Sequence, residues 1–365
     1  MGAAPSAKAL PERLTPSRSP YLLSKGWFHG IGLKQEDKPM PVQISIIIPA
    51  FKAENLLPRA LSSIAQQDLL IPSRHPTAPS LDPSAIEVII AADDQGDYHG
   101  AGRHLPPLMK VKIIPPIRGA AGSGPGATRN RGILAASGDY LAFLDADDAW
   151  SPGYLSALWP LAKRYGAAFA ATSVITPDGQ CLLTLGQGIG RPDGEGPDKA
   201  SMDSAGPDAA QPPAIQQEPP LHQITPSYFG IWPGSFHPLV RRDLSPGFED
   251  GAGQDVFHAL AVLGAVGGRA PFVRGAPYHL HITAGSVTTS PAFTRRIDTR
   301  YRDHLRQLQH HHRPNNPDTA LSGMARLQAM QALSRRRYWN NIFSRQGGHP
   351  LGFYGFFGQK RKIIP

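Results

Sequence analysis

Residues 43–165 alternate between two hydrophobic patterns, and this succession predicts an α/β fold. Short continuous apolar runs rich in β-branched residues are typical of strands buried on both faces of a parallel sheet. They lie at Gln43–Pro49, Ile86–Ala92, Lys110–Pro115 and Tyr140–Leu144. Apolar positions at helical spacing follow the first run, over Asn55–Gln67, and precede the last, over Ala127–Ser137. Strands that alternate with helices favour a doubly wound parallel sheet.

The pattern predicts further regular structure downstream. A helix over Pro152–Tyr165 contains Pro160, which should kink it. The other predicted elements are strands at Ala168–Val174 and Gln180–Leu185, regular structure over Tyr228–Val240, a helix at Gln254–Leu263, one or two strands within Ala270–Ile282, and helices at Thr294–His311 and Asp318–Phe343.

Three segments interrupt this pattern. Residues 1–40 have no steady period and are rich in proline, serine and lysine, which predicts a disordered arm. A proline-rich stretch at about 68–85 is predicted to be a surface insertion. Residues 186–220 are of low complexity, and two interpretations stay open for them: a disordered insertion or a lid over a site.

Composition limits the classes of protein that fit. A chain of 365 residues with 41% hydrophobic residues can bury one large core or two small ones. The single cysteine, Cys181, excludes an internal disulfide framework and a cysteine-based zinc site. No apolar run is long enough to span a bilayer, and the first twenty or so residues lack the apolar core of a signal peptide. These features predict a cytoplasmic protein.

The net charge of +9 favours partners that carry phosphate or other anions. Much of the positive charge lies near the C-terminus, in Arg335–Arg337 and Gln359–Lys362, and no nucleic-acid-binding module is recognisable, so we expect no nucleic-acid partner. Apolar Leu327, Met330 and Leu333 precede a basic, aromatic tail over Tyr338–Lys362. Two interpretations stay open: peripheral contact with the inner face of an anionic membrane, or a packed helix with a solvated tail.

A cluster of three carboxylates follows the strand at Tyr140–Leu144, formed by Asp145, Asp147 and Asp148. Like charges this close repel each other unless a cation lies between them, and Mg²⁺ typically takes carboxylates together with substrate phosphates. The cluster therefore indicates a metal–diphosphate site. The alternative is an acidic turn that caps the helix beginning near Pro152.

Other strand ends carry residues suited to a nucleotide. Pro49–Glu54 follows the first strand, Asp93–Asp94 follows the second, and the glycine-rich loop Gly119–Gly126 leads into a helix that carries Thr128–Asn130. The carboxyl ends of parallel strands meet at one edge of a sheet, and a helix N-terminus favours phosphate. Neither a Walker A sequence nor a GxGxxG spacing is present, so a P-loop NTPase and an NAD enzyme are not indicated.

Four segments together carry a resemblance to a known family. They are ISIIIPAFKAENLLPRALSSIAQQ (Ile44–Gln67), EVIIAADD (Glu87–Asp94), GPGATRNRGILAASGDYLAFLDADDAWSPGYL (Gly124–Leu155) and GFEDGAGQDVFHAL (Gly247–Leu260). In this order they resemble the inverting family 2 glycosyltransferases of GT-A fold. The resemblance covers about Val42–Ser290. It implies a Rossmann-like α/β domain over residues 41–290, with a mostly parallel central sheet flanked by helices. Residues 291–365 lie outside the resemblance, and their helical pattern and basic residues predict a helical, basic C-terminal extension.

The resemblance also implies site residues. The donor nucleotide would be bound by Pro49, Phe51, Glu54, Asp93, Asp94, Arg129, Asn130 and Asp145. Asp145 and Asp147 match the metal-binding DxD motif, with Asp147 the expected direct ligand of Mn²⁺ or Mg²⁺ and Asp148 ranked after them.

The general base that the resemblance implies is Asp255. It follows Gln254, which stands where the family commonly has an acid, and so Glu249 and Asp250 stay alternatives. A further alternative is that Asp255 only caps its helix. Lower-ranked candidates are His281 for the phosphates or metal, and Trp232 for stacking on an acceptor sugar, each with a structural interpretation beside it.

The expected activity is transfer of a sugar from a nucleotide-diphosphate donor to a glycan or lipid-linked acceptor, dependent on a divalent metal, in the synthesis of a cell-surface polysaccharide. Two other interpretations stay open. One is a sugar nucleotidyltransferase, although that class usually has a glycine- and lysine-rich loop where Pro49–Glu54 stands. The other is a non-catalytic protein of the same fold that binds a nucleotide or glycan.

Overall fold

The computed structural model describes residues 41–70, 80–117, 122–186, 222–283, 291–310, 321 and 323–361. The predicted arm at 1–40 lies outside the described residues, as do half of the insertion at 68–85, nearly all of the insertion at 186–220, and Gly119–Ala121 of the glycine-rich loop.

Ten strands in the described residues form one sheet. They are β1 (Ile44–Ala50), β2 (Ile86–Ala92), β3 (Lys110–Ile114), β4 (Tyr140–Phe143), β5 (Ala149–Trp150), β6 (Ala167–Ile175), β7 (Cys181–Leu185), β8 (Gln223–Ile224), β9 (Leu239–Arg241) and β10 (Ala270–His281). The main path runs β3-β2-β1-β4-β9-β6-β10-β5, with β7 beside β6 and β8 beside β10. Strands β3, β2, β1 and β4 are parallel, as are β6 and β10, while β9, β5, β7 and β8 pair antiparallel.

Eight α-helices occupy the described residues: α1 (Leu57–Ala65), α2 (Pro125–Ala135), α3 (Tyr154–Tyr165), α4 (Tyr228–Ile231), α5 (Gln254–Ala265), α6 (Pro291–His310), α7 (Gly323–Arg345) and α8 (Gly352–Arg361). Short 3-10 turns lie at Asp68–Leu70, Pro83–Ala85, His99–His104 and Arg242–Leu244. α1 buries Leu57, Leu61 and Ile64 at helical spacing, and a proline in its first turn is tolerated because no intrahelical N–H bond is lost there.

The sheet is covered on both faces, which explains the continuous apolar strands. Side chains of β1 alternate between two hydrophobic cores, with Ile44, Ile46 and Ile48 in one and Ile47 in the other. All four are fully buried. The predicted fold class, an α/β architecture with a mostly parallel central sheet flanked by helices, is confirmed.

Two sequence-based expectations need correction here. The carboxylates at 145–148 do not cap the next helix, because α3 begins at Tyr154 with Gly153 in the cap position. The tail over Tyr338–Lys362 is not simply a solvated basic segment, because its first part belongs to α7 and α8 buries Phe356 and Phe357. None of the helices in the described ranges has both the length and the apolar content needed to cross a bilayer.

Candidate active site

The carboxyl ends of β1, β2 and β4 bring the acidic segments to one edge of the sheet. Ala50 of β1 lies opposite Ala92 of β2, and Ile47 lies opposite Phe143 of β4. Continued by a few residues, this register places Asp93 and Asp145 on either side of the chain that leaves β1. The sequence-based grouping of these strand ends therefore agrees with the pairing of the strands.

Asp94 joins the loop after β1 to the loop after β2. Its carboxylate accepts hydrogen bonds from the backbone N–H of Lys52 and Gly96 and from the hydroxyl of Tyr98, which lies 3.0 Å from Oδ1. The same hydroxyl accepts a 3.3 Å bond from the N–H of Ala53. Lys52 adopts a left-handed backbone conformation with φ of 52°. Asp94 thus fixes an unusual turn at the predicted base and ribose pocket.

An exposed aromatic ring stands beside this turn. Phe51 is 52% exposed, and the ammonium group of Lys52 lies 5.4 Å from the centre of its ring. Glu54 is exposed on the same loop, with its carboxylate close to Gly96. Pro49 lies within β1 and is only partly buried. An exposed ring with acidic groups near it can stack on a base and accept hydrogen bonds from a ribose or a base N–H.

Asp93 binds the part of the glycine-rich loop that the structure describes, at Ser123 and Gly124. Its carboxylate accepts bonds from the hydroxyl of Ser123 at 2.5 Å and the N–H of Gly124 at 2.8 Å, and the guanidinium of Arg131 lies 3.4 Å away. Although burial alone would raise the pKa of Asp93, these partners lower it. The side chain is 3% exposed, so it anchors the loop that leads into α2 and has little surface left for a ligand.

Arg129 and Asp145 form an ion pair at this edge of the sheet, in which Arg129 is buried and Asp145 is partly exposed. Arg129, on α2, is 3% exposed, and its guanidinium stacks 5.2 Å from the ring centre of Phe248. Nε2 of His237 lies 3.8 Å from the other oxygen of Asp145. Burial opposes ionisation, but Arg129 and His237 hold the pKa of Asp145 well below its usual range. Within the described residues, Nε and Nη1 of Arg129 have no hydrogen-bond partner.

Asp147 and Asp148 differ in their surroundings. Asp147 is partly exposed, and burial together with the charge of Asp145 raises its pKa. Asp148 is 4% exposed and accepts bonds from the hydroxyl of Tyr278 at 2.7 Å and the N–H of His281 at 2.8 Å. Burial and the two neighbouring carboxylates raise the pKa of Asp148. Asp148 is therefore tied to the end of β10, whereas Asp147 is the more accessible carboxylate.

The donor set here suits a hard divalent cation, because carboxylate oxygens are the ligands that Mg²⁺ and similar ions prefer. Within the described residues, no group of three His, Cys, Asp or Glu side chains could hold a metal ion. Asp147 beside Asp145 offers two carboxylates, which is the number such a cation commonly takes from protein when substrate phosphates complete its shell. The raised pKa of Asp147 indicates a position where added positive charge would be favourable.

Asn130 is engaged with the backbone. Its Nδ2 donates to the carbonyl oxygen of Phe248 at 2.8 Å, and its Oδ1 accepts from the N–H of the same residue at 2.7 Å. Both ends of the amide are therefore used to hold the loop before α5. The predicted role for Asn130, holding the donor, would require it to give up these bonds.

Asp255 lies in the first turn of α5, whose cap position is occupied by Gly253 with φ of 78°. Its Oδ1 accepts from the N–H of Val256 at 2.9 Å. The carboxylate borders a cavity of about 90 Å³ between α5 and the three C-terminal helices. Other residues lining this cavity are Ile231, Phe293, Ile297, Trp339, Tyr354 and Phe357. Asp255 therefore contributes a carboxylate to a cavity lined largely by apolar and aromatic side chains.

Gln254, the residue that departs from the family pattern, is 5% exposed. A Cβ placed on Gly126 of α2 would come within 2.5 Å of its Oε1 and closer still to the carbonyl oxygen of Glu249. The first turns of α2 and α5 are therefore in close contact at Gly126. This contact packs the helix that carries Arg129 against the helix that carries Asp255.

The alternatives to Asp255 are placed differently. Glu249 forms an ion pair with Arg300 of α6, and Nδ1 of His304 lies 3.5 Å from its other oxygen. Both carboxylate oxygens of Glu249 thus face side chains of α6. Asp250 is exposed on the loop.

The two lower-ranked candidates, Trp232 and His281, differ in how far they are buried. Trp232 is fully buried, so it presents no surface for a sugar, and its interpretation as a core residue is the correct one. His281 contributes its backbone N–H to Asp148, and its ring is partly exposed. Burial, with smaller effects from Arg59 and His279, lowers the pKa of His281 to about 4, so the ring is neutral near pH 7.

Sequence reasoning missed the residues that support the carboxylates. Tyr278 accepts from the N–H of Asp145 at 3.0 Å while its hydroxyl donates to Asp148. His237 approaches Asp145, and Tyr98 bonds Asp94. Tyr278 had a signal, since it lies three positions before His281, a candidate of the sequence analysis. His237 lies far along the chain from its partner and had none.

Comparison with known proteins shows which families and proteins this chain is similar to. Residues 45–184 match the model of glycosyl transferase family 2. The putative colanic acid biosynthesis glycosyl transferase WcaA of Escherichia coli is 30% identical over 113 residues, which are 31% of this chain and 35% of WcaA. The GalNAc(5)-diNAcBac-PP-undecaprenol beta-1,3-glucosyltransferase of Campylobacter jejuni is 26% identical over 137 residues, 38% of this chain and 40% of that protein.

The matches cover only part of these relatives. The succinoglycan biosynthesis protein ExoO of Rhizobium meliloti is 28% identical over 141 residues, 38% of this chain and 36% of its own length. Among solved structures, residues 1–349 of TarS from S. aureus in complex with UDP-GlcNAc align with a TM-score of 0.46 at 13% identity, over 85% of this chain and 93% of that one.

Proposed function

We propose, from the match of residues 45–184 to the glycosyl transferase family 2 model and from the geometry of the site, that this chain is an inverting, metal-dependent glycosyltransferase of that family. It transfers a sugar from a nucleotide-diphosphate donor to a glycan or lipid-linked acceptor. The observation that carries the proposal is the meeting of Phe51, Asp94 and the Arg129–Asp145 pair at one edge of the sheet.

The donor nucleotide lies along the ends of β1 and β2. Phe51 stacks on the base, and the carboxylates of Glu54 and Asp94 face the base and ribose. The free N–H groups of Arg129 are directed to the donor's charged part, since a guanidinium is a strong donor to phosphate. The ion pair with Asp145 holds Arg129 in position and keeps Asp145 ionised.

Mn²⁺ or Mg²⁺, held by Asp147 with Asp145 beside it, would supply positive charge where the nucleotide diphosphate departs. Tyr278 and Asp148 hold the backbone of this turn in place. Their role is to orient the two accessible carboxylates.

Asp255 acts as the general base. Its carboxylate removes the proton from the acceptor hydroxyl as that oxygen bonds to the anomeric carbon, and the carbon–oxygen bond to the diphosphate breaks on the opposite face. The configuration at the anomeric carbon is thereby inverted. The cavity beside Asp255 supports this assignment, because a base must lie within hydrogen-bond reach of the acceptor.

The names of the matched proteins suggest what kind of product this enzyme makes. Three of the matched proteins have names that refer to the synthesis of a polysaccharide or of a lipid-linked glycan. We propose a cell-surface polysaccharide as the product, made by an enzyme at the inner face of the membrane.

The test is transfer from a panel of nucleotide-diphosphate sugars, with release of nucleotide diphosphate as the readout. Asp255→Asn should lower transfer by roughly 10²- to 10⁴-fold, the usual contribution of a general base, without changing nucleotide binding. Asp250→Asn, an exposed carboxylate on the preceding loop, is the matched control and should retain activity.

Other outcomes would reassign the protein. Full activity in Asp255→Asn would remove this residue as the base. Release of inorganic pyrophosphate from a sugar phosphate and a nucleoside triphosphate would indicate a nucleotidyltransferase. Nucleotide binding without turnover of any donor, even with acceptor glycans present, would favour the non-catalytic alternative, with which the buried Gln254 is compatible.

A further inference from the structure

The two long C-terminal helices are unusually rich in arginine. α6 and α7 together contain ten arginines, two aspartates and no lysine. The arginines are at positions 295, 296, 300, 302 and 306 in α6 and at 326, 335, 336, 337 and 345 in α7. Lysine and arginine carry the same charge, but only arginine presents a planar fork of donors that matches a phosphate.

Two of these arginines lie on the inner face of the helices, where they contact other segments of the chain. Arg300 pairs with Glu249 on the loop before α5. Arg336 is 8% exposed, and its Nε donates to the carbonyl oxygen of Phe229 at 2.7 Å while its other donors reach carbonyl oxygens of the segment after α4. The inner faces of α6 and α7 thus hold the acceptor side of the candidate site.

The outer face forms an open groove of about 790 Å³, which we call the arginine groove. It is lined by Arg302 and Arg306 of α6, by Arg335 and Arg337 of α7, and by apolar Leu327 and Met330. Leu327 is 51% exposed.

Only part of the groove's charge is neutralised. Asp298 pairs with Arg337 at 2.8 Å, and Asp303 pairs with Arg306 at 3.3 Å. Among the described residues, neither Arg302 nor Arg335 has a carboxylate partner. The groove therefore combines an exposed leucine with two guanidinium groups that have no carboxylate partner among the described residues.

We propose that the arginine groove docks on an anionic phospholipid bilayer. Headgroup phosphates complement the guanidinium groups, and the leucine reaches the boundary between headgroups and acyl chains. This surface replaces the tail over Tyr338–Lys362 as the membrane contact, because α8 buries Phe356 and Phe357. The contact is independent of transferase activity, although it would present the site to a lipid-linked acceptor.

The test is co-sedimentation of the full chain with vesicles of phosphatidylcholine alone and with vesicles that also contain phosphatidylglycerol. The chain should bind the second kind only, and salt should weaken the binding. Arg302→Gln combined with Arg335→Gln should weaken it by roughly 10- to 30-fold, as the loss of two cations near an anionic surface implies. Leu327→Gln should also weaken it.

The matched control is Arg103→Gln combined with Lys110→Gln. It removes two exposed cations near the edge strand β3 and should leave binding unchanged. Circular dichroism of each variant establishes that it is folded. Asp147→Ala should bind vesicles as tightly as the unaltered chain. The outcome of the vesicle test therefore does not depend on whether the proposed transferase activity is correct.

The proposal is overturned if the double variant of the groove binds as tightly as the unaltered chain, or if the control pair weakens binding equally. It is also overturned if glycerol phosphate at matched phosphate concentration displaces the chain from vesicles, since the groove would then take a soluble phosphate. Equal binding to both kinds of vesicle would likewise contradict it.

Discussion

The hydroxyl of Tyr278 donates a 2.7 Å hydrogen bond to the carboxylate of Asp148, across 130 positions of sequence. The same oxygen accepts from the N–H of Asp145 at 3.0 Å. Burial and the nearby carboxylates raise the pKa of Tyr278, so its hydroxyl keeps the proton that it donates. One side chain from β10 thus shapes the turn that carries the candidate metal ligands.

Replacing Tyr278 by phenylalanine should destabilise the protein by roughly 1–3 kcal/mol, because a buried carboxylate loses a hydrogen bond. We expect a lower free energy of unfolding in urea and weaker metal-dependent nucleotide binding. Tyr140→Phe is the control, since that hydroxyl has no hydrogen bond within the described residues and its ring packs edge-on against Trp159. Equal stability of Tyr278→Phe and the unaltered chain would show that the bond contributes nothing.

We expect Asn130 to stabilise the loop before α5. Asn130→Ala removes two hydrogen bonds to the backbone of Phe248 and should cost roughly 1–3 kcal/mol of stability. Because that loop leads to Asp255, transfer should fall while affinity for the nucleotide changes little. A large loss of nucleotide affinity with unchanged stability would instead support the sequence-based role in holding the donor.

Gly126 should tolerate no side chain. In Gly126→Ala the new Cβ would collide with the carbonyl oxygen of Glu249, a backbone atom that cannot rotate away, and with the side chain of Gln254. We expect a loss of stability of roughly 1–3 kcal/mol, as for other overpacked sites, measured by thermal or urea unfolding. Gly102→Ala is the control, because its Cβ would meet only Cγ2 of Val111 at 3.8 Å. Comparable melting temperatures for the two variants would contradict the close contact of α2 with α5.

The buried Glu87 should make stability depend on acid pH. Burial opposes its ionisation, but Lys112 at 2.7 Å and hydrogen bonds from Ser45 and Ser137 lower its pKa from 4.5 to about 2. A lowered carboxyl pKa stabilises the folded state above about pH 4.5, and this contribution, on the order of 2–3 kcal/mol, is lost as the pH falls toward 2.

The measurement is the free energy of unfolding against pH for the unaltered chain and for Glu87→Gln. The difference between them should be constant above about pH 5 and should shrink below the unfolded-state pKa of a glutamate. Leu134→Gln, at an exposed position without an ionisable group, should give a curve parallel to that of the unaltered chain. A pH-independent difference for Glu87→Gln would contradict the lowered pKa.

The sequence predicted those features that depend on local pattern. The buried runs located β1, β2 and β4, and parallel pairing then brought Asp93, Asp94 and Asp145 to one edge. The contacts of Asp148 with Tyr278 and of Asn130 with Phe248 join residues more than a hundred positions apart, and no local pattern encodes them.

The missed helix α8 and the choice between the two interpretations of Trp232 each have a physical reason. α8 is rich in glycine and aromatic residues, which are weak helix formers, and packing of Phe356 and Phe357 stabilises it instead. Trp232 was considered for stacking on a sugar because of its place in the chain, yet tertiary packing buries it completely.

The most direct test of the proposed function is calorimetric titration of the unaltered chain and of Asp147→Ala with UDP, GDP, CDP and TDP, each with and without Mn²⁺. Asp147 is partly exposed and lies outside the contacts that hold the turn, so its loss should leave the fold intact. We predict that one nucleotide binds the unaltered chain only when Mn²⁺ is present, and that Asp147→Ala abolishes this binding. Equally tight, metal-independent binding by both proteins, or no binding of any nucleotide, would contradict a metal-dependent donor site at this edge.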